Sequence, residues 1–159
     1  MLNFEYRLPT RIVFGKGMEE QAGEEIKKSG GTKVLVHYGG HSAEKTGLLA
    51  KVCRILEESQ LPYVLLGGVK PNPRLSKIYE GIALAKKENV DFILAVGGGS
   101  VIDSAKGIGY GVANEGDVWD FYIRKKAPKA CVPVGVILTI AASGSETSDG
   151  SVVTNENGN

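Results

Sequence analysis

No charge of either sign dominates this sequence: Lys plus Arg is 19, Asp plus Glu is 18, and the formal net charge is +1. That balance excludes nucleic-acid binding carried by bulk charge, and no basic or acidic run compensates for it. Long apolar runs are absent too. None approaches the ~20 residues that a helix needs to cross a bilayer, so no membrane role is expected. The first residues, MLNFEYRLPTR, lack the charged-then-apolar pattern of an export signal, and a cytoplasmic location is expected. Cysteine occurs only at Cys53 and Cys131, far apart and without metal-binding spacing, which reads as a reduced setting. What is present in quantity is apolar residues, 42% against 23% charged, which excludes intrinsic disorder. At 159 residues the chain fits one domain with a real core. Glycine is the outlier, 22 residues against a usual share of about 7%.

The hydrophobic pattern alternates between two periods. Phe4–Leu8 and Arg11–Gly15 read as two short edge strands around Pro9-Thr10. Residues 17–29 read as a helix with Met18, Ala22 and Ile26 on one stripe, closed by Gly30-Gly31. Lys33–Tyr38, Tyr63–Leu66, Asp91–Val96 and Val132–Ile140 read as strands, the second breaking at Gly67-Gly68. Between them lie three helices: one marked by Leu48, Val52, Ile55 and Leu56, one over residues 74–88, and one over residues 100–113. Asp91–Val96 has no polar face, as expected of a strand covered by helices on both sides. The order predicts right-handed βαβ crossovers and an α/β fold, a Rossmann-like, doubly wound and mainly parallel sheet with N-terminal edge strands.

Such sheets bind ligands beyond the carboxyl ends of their strands, where strand order reverses. Glycines fall at three of those ends: Gly39-Gly40, Gly67-Gly68 and Gly97-Gly98-Gly99 followed by Ser100. The triple-glycine turn is the strongest signal. It lets an anion approach the backbone at a helix start, where Ser100 is expected to cap and unpaired N–H groups carry partial positive charge. A pyrophosphate suits that place. A tight turn needing positive φ is the plainer explanation, though one or two glycines would satisfy it. Neither common phosphate fingerprint is present. There is no Gly-x-x-x-x-Gly-Lys-Ser/Thr loop, and Gly97-x-Gly99 lacks the third glycine of the dinucleotide motif.

The stretch Val96-Gly97-Gly98-Gly99-Ser100-Val101-Ile102-Asp103-Ser104-Ala105-Lys106 closely resembles the signature of the iron-containing (group III) alcohol dehydrogenases. Tyr38-Gly39-Gly40-His41-Ser42 is similar to that family's first glycine turn, and Pro71-Asn72-Pro73 to its Asn-Pro element. Leu138–Glu146 and Val152–Asn155 complete the resemblance, most closely to the butanol dehydrogenase and broad aldehyde reductase branch. Ala142 and Ser143 stand where Gly and Thr are commoner. The resemblance implies a nicotinamide dinucleotide lying across these turns. Gly39, Gly40 and Ser42 would face the adenosine ribose, and Asn72 would also belong to the cofactor site. Gly97, Gly98, Gly99 and Ser100 would hold the pyrophosphate. Asp103 would reach the nicotinamide half, and Thr139, Ser143 and Ser145 would line its ribose and ring. The first turn carries no carboxylate to repel a 2′-phosphate, so NADP is favoured over NAD.

The resemblance also implies a divalent metal, Fe or Zn, held by an aspartate and three histidines of a second, helical domain. This chain has only His37 and His41, both at the first glycine turn and both read as packed or solvated. The expectation is that residues 1–159 form the cofactor-binding domain alone, with the metal-binding domain absent and no catalytic residue here. The parent would reversibly move a hydride between NAD(P)H and a small aldehyde or alcohol such as butanal or butanol, as a homodimer. Two other readings fit less closely: a stand-alone nucleotide-binding or regulatory module, and a glycerol dehydrogenase-like relative. Lys106 reads as a surface ion-pair partner of Asp103, and Cys53 and Cys131 as small core residues. Trp119, Phe121 and Tyr122 read as a short helical turn capping the core.

Overall fold

Runs rich in Val, Ile and Leu form β1 (Val34–Gly39), β2 (Tyr63–Val69), β3 (Phe92–Gly97) and β4 (Val134–Leu138). They make one parallel sheet in the order β2-β1-β3-β4, in a computed structural model that describes residues 9–40, 43 and 45–158. The expected strand Phe4–Leu8 and the candidates His41 and Ser42 lie outside the described residues. Between the strands run α1 (Ala22–Lys28), α2 (Leu48–Glu58), α3 (Leu75–Lys87), α4 (Gly99–Ala113) and the single turn α5 (Trp119–Tyr122).

Side chains alternate across a strand, so each strand supplies two cores. Val34, Val36, Phe92, Leu94 and Val96 pack on one face beneath Ile26 of α1 and Leu49, Val52 and Leu56 of α2. Leu35, Ile93 and Ala95 pack on the other face with Ile78 of α3 and Ile102, Ala105 and Ile108 of α4. Helices on both faces make the sheet doubly wound, and every residue of β3 is buried, as its unbroken apolar run requires. The chain steps from β1 to β2 on one side and returns to β3 on the other. The reversal therefore lies between the carboxyl ends of β1 and β3.

Several boundaries differ from the sequence reading. Arg11–Gly15 forms no strand: Ile12 is 62% and Phe14 96% exposed, and its alternation meets no neighbouring edge among the described residues. Residues 18–21 form a 3₁₀ turn ahead of α1, so the first helix starts later than its stripe suggests. Gly67-Gly68 does not end β2. Gly68 takes φ +86° inside the strand, and the register slips between His37 and Gly39 so that Gly39 pairs with Val69. β4 is shorter than residues 132–140. Cys131 is exposed rather than a core residue, whereas Cys53 packs half-buried against the second core. The turn α5 packs on the core as expected, with Trp119 and Tyr122 stacked at 5.8 Å.

Much of the glycine excess serves helix packing. A Cβ on Gly107 or Gly111 of α4 would lie 2.6 Å from Ile78 Cδ1 or 2.1 Å from Ile82 Cδ1, and one on Gly81 of α3 would lie 2.3 Å from Ile108 Cδ1. These close approaches seat α4 against α3 and aim its N-terminus at the crevice between β1 and β3.

Candidate functional site

At the end of β3 the chain enters α4 through Gly97, Gly98 and Gly99. None of the three has positive φ, so the turn does not explain them. Two answer to packing: a Cβ on Gly97 would lie 2.5 Å from Val101 Cγ2, and one on Gly99 would lie 2.4 Å from Ser143 Oγ. Gly98 differs. Its φ of −97° and ψ of −166° suit any residue, and the nearest atom to an added Cβ is Ile140 Cβ at 3.9 Å. The fold leaves open space above this one glycine, at the first turn of a 15-residue helix. Gly98 is also the N-cap, with no side-chain cap bond. Helix geometry leaves the first N–H groups, at Gly99 and Ser100, without partners inside the helix.

Ser100 does not cap α4, because it lies inside the first turn. Its hydroxyl instead accepts a hydrogen bond from the Asn72 backbone N–H at 3.3 Å. Asn72, in the left-handed region at φ +56°, thus brings the Pro71-Asn72-Pro73 element to the glycine turn. From the other side, the end of β4 runs alongside the turn: the Thr139 N–H donates to the Gly97 carbonyl at 3.1 Å, and Ser143 touches Gly99. Gly39 closes the set, since its Cβ would stand 3.8 Å from Val101 Cγ2, while Gly40 beside it is open. Gly39, Gly40, Asn72, Gly97, Gly98, Gly99, Ser100, Thr139 and Ser143 therefore surround one helix terminus at the topological reversal.

Asp103 lies one helical turn further along α4, Ser145 comes to it from the 3₁₀ turn 145–147, and their polar atoms are bound to the chain itself. The Ser145 hydroxyl donates to Asp103 Oδ1 at 2.6 Å, and the Val152 N–H donates to Oδ2 at 3.2 Å. Lys106 is not a surface partner of Asp103. It is 7% exposed, and its ammonium donates to the carbonyls of Ser145 and Gly150, both at 2.7 Å, and to Ser145 Oγ at 2.9 Å. Removal from water holds its pKa below the ordinary lysine range, opposed by the nearby carboxylates of Asp103 and Asp149. The sequence signal for this burial was the apolar surround of Ala105, Gly107 and Ile108.

His37 is fully buried on β1. Its Nδ1 donates to the Leu66 carbonyl at 2.9 Å, which leaves Nε2 to accept from Ser104 Oγ at 2.8 Å. Burial lowers its pKa from 6.5 to about 4, so the ring is neutral and acts as a cross-brace between sheet and α4. A cleft of about 270 Å³ lies between β4 and the Ile102, Lys106 and Tyr110 side of α4, and includes none of the three glycines. No group of three or more His, Cys, Asp or Glu among the described residues could hold a metal.

The family model for iron-containing alcohol dehydrogenase matches residues 9–159. The chain belongs to that family. It is 46% identical over 155 residues to a probable NADH-dependent butanol dehydrogenase of Bacillus subtilis, covering 98% of this chain and 40% of the relative. With the NADPH-dependent aldehyde reductase YqhD of Escherichia coli it is 36% identical over 156 residues, covering 96% and 39%. The crystal structure of an NADH-dependent butanol dehydrogenase A from Thermotoga maritima superposes with a TM-score of 0.95 at 46% identity, covering 98% of this chain and 39% of that one. This member of the iron-containing alcohol dehydrogenase family thus spans about two fifths of the length of these relatives.

Proposed function

We propose that residues 1–159 are the dinucleotide-binding domain of a metal-dependent alcohol dehydrogenase that interconverts small primary alcohols and aldehydes, butanol and butanal among them. One observation carries the reading: Gly98, at an uncapped helix N-terminus on the topological reversal, needs neither its φ nor its packing space to be glycine. A pyrophosphate lying on the backbone there accounts for it. Gly97, Gly98, Gly99 and Ser100 hold the pyrophosphate with Asn72 tied to Ser100, Gly39 and Gly40 face the adenosine ribose, and Thr139 and Ser143 flank the nicotinamide half. When bound, the nicotinamide supplies the hydride acceptor or donor. This chain's residues orient it, which is positioning rather than bond-making.

The first glycine turn has no carboxylate, which supports acceptance of NADP as well as NAD. Relatives of both dependences, NADH and NADPH, match this chain. The donor set among the described residues does not fit a catalytic metal, so the metal centre is assigned to a further part of the parent enzyme and no step is routed through it here. A cytoplasmic homodimer is the assembly proposed for that parent, and no described helix is long and apolar enough to cross a membrane. Titration calorimetry of this chain with NADPH, NADH and ADP tests the reading, and saturable binding of the dinucleotides is the expected result. The same chain mixed with butanal and NADPH should show negligible turnover. Robust turnover would relocate the catalytic centre into these 159 residues.

A further inference from the structure

We propose that Lys70, at the carboxyl end of β2, is a specificity-determining residue that takes the 2′-phosphate of NADPH. The proposal rests on the dinucleotide reading above and deepens it: that reading places the cofactor, and Lys70 distinguishes its phosphorylated form from its unphosphorylated one.

Strand order sets the geometry. The sheet runs β2-β1-β3-β4, so outward from the glycine turn on β3 come first the end of β1 and then the end of β2. Neighbouring strands stand about 4.8 Å apart. A dinucleotide with its pyrophosphate at Gly98 and its adenosine ribose at Gly39 and Gly40 therefore extends toward the end of β2. Gly39 pairs with Val69, the last residue of β2, and Lys70 is the next residue along the chain. Two residues later the Asn72 N–H reaches Ser100 Oγ at 3.3 Å, so the chain from Lys70 to Asn72 crosses from the end of β1 to the glycine turn of β3. The approach is open. No atom lies within 4 Å of a Cβ added to Gly40, and only Lys77 Nζ, at 3.8 Å, comes within that range of one added to Gly68.

Charge at this strand end is positive. Lys70, Arg74 and Lys77 line a cleft of about 140 Å³ that contains one carboxylate, that of Glu156. Glu156 is already engaged, accepting from Arg74 Nη1 at 3.1 Å, from the Ser76 backbone N–H at 3.3 Å and from the Ser76 hydroxyl. Lys77 is paired with Glu80 at 2.6 Å. Lys70 is exposed and has neither an ion pair nor a hydrogen bond among the described residues. Of the three cations in the cleft it is the one free to meet an anion, and the cleft offers no free carboxylate to oppose that anion. A phosphate carries close to two negative charges at neutral pH, whereas the ribose 2′-hydroxyl of NADH carries none. Lys45, exposed just past the first glycine turn, is the rival cation, and the experiment separates the two.

The test is Lys70→Met in the full chain, titrated with NADPH and NADH, which differ only in the 2′-phosphate. The expected result is a fall of about fivefold or more in NADPH affinity, with NADH affinity within about twofold of the parent. The NADPH loss should shrink as salt is raised, because the contact is exposed. Lys70→Arg, which keeps the charge, should hold NADPH affinity within about twofold of the parent. Urea midpoints of both variants should match the parent, since Lys70 is exposed and unpaired among the described residues. An equal loss for both dinucleotides, or no loss for either, overturns the proposal and leaves the dinucleotide reading standing. So does a parent chain that binds NADH and not NADPH. A selective NADPH loss in Lys45→Met, with Lys70→Met unchanged, overturns it by giving the role to Lys45. A parent chain that binds neither dinucleotide overturns the dinucleotide reading and this proposal with it.

Discussion

Neighbouring glycines at 97, 98 and 99 are alike in sequence and different in physics, and two substitutions separate them. Gly98→Ala adds a methyl with 3.9 Å of clearance and ordinary φ, so stability should stay within about 0.5 kcal/mol of the parent. The same methyl stands where a pyrophosphate would approach, and dinucleotide affinity should fall by at least about tenfold in calorimetric titration. Gly99→Ala drives its methyl to 2.4 Å from Ser143 Oγ and should cost about 1–3 kcal/mol in urea denaturation. His37 gives a pH prediction. Its pKa is about 4 in the folded chain against 6.5 when free, so between these values the unfolded chain binds more protons. Protonation therefore favours unfolding: the contribution of neutral His37 is fully present above pH 6.5 and disappears as pH falls toward 4. The span corresponds to about 3 kcal/mol. Urea midpoints across that range should drop in the parent, and His37→Gln should flatten the slope while lowering stability overall.

Among the elements, α4 follows the glycine turn and is unusual in composition. Interior glycines cost a helix about 1 kcal/mol each relative to alanine, and α4 holds Gly107, Gly109 and Gly111. Propensity alone would rank this helix poorly. It forms because those glycines let Ile78, Ile82 and Cys131 approach its backbone, and because Ile102, Ala105 and Ile108 are buried against the sheet. Gly111→Ala should accordingly destabilise despite its better helix propensity, by about 1–3 kcal/mol, since its Cβ would lie 2.1 Å from Ile82 Cδ1. Urea denaturation would show it, and an unchanged or raised midpoint would mean that α3 can slide away from α4. The helix positions read from periodicity were close to those observed, because burial stripes at Leu49, Val52, Ile55 and Leu56 or at Leu75, Ile78 and Ala85 are local patterns. The Arg11–Gly15 alternation is equally local but finds no strand neighbour among the described residues, and no element forms there.

At the scale of the whole molecule, ligand binding should register as global stability. A dinucleotide bound only by the native fold and present at 100 times its dissociation constant adds about 2.7 kcal/mol. For a chain of this size that is a rise of roughly 5–10 °C in Tm. NADPH and NADH should both produce the rise, with the larger shift for NADPH following from the carboxylate-free first turn. A larger shift with NADH would mean that the 2′-phosphate meets an obstacle elsewhere.

The sequence by itself determined the alternation of strands and helices, the glycine-bearing ends of β1 and β3 and the family. Those are properties of short windows, where hydrophobic period and glycine position act without help. Only the tertiary structure decided which strand ends meet, because the order β2-β1-β3-β4 is set by pairing across the whole chain. It also decided that Ser100 serves Asn72, 28 residues away, rather than its own helix. Lys106 shows the same limit. Its three-residue spacing from Asp103 suggested a surface pair, but its partners lie 39 and 44 residues further on, where the carbonyls of Ser145 and Gly150 take its ammonium in.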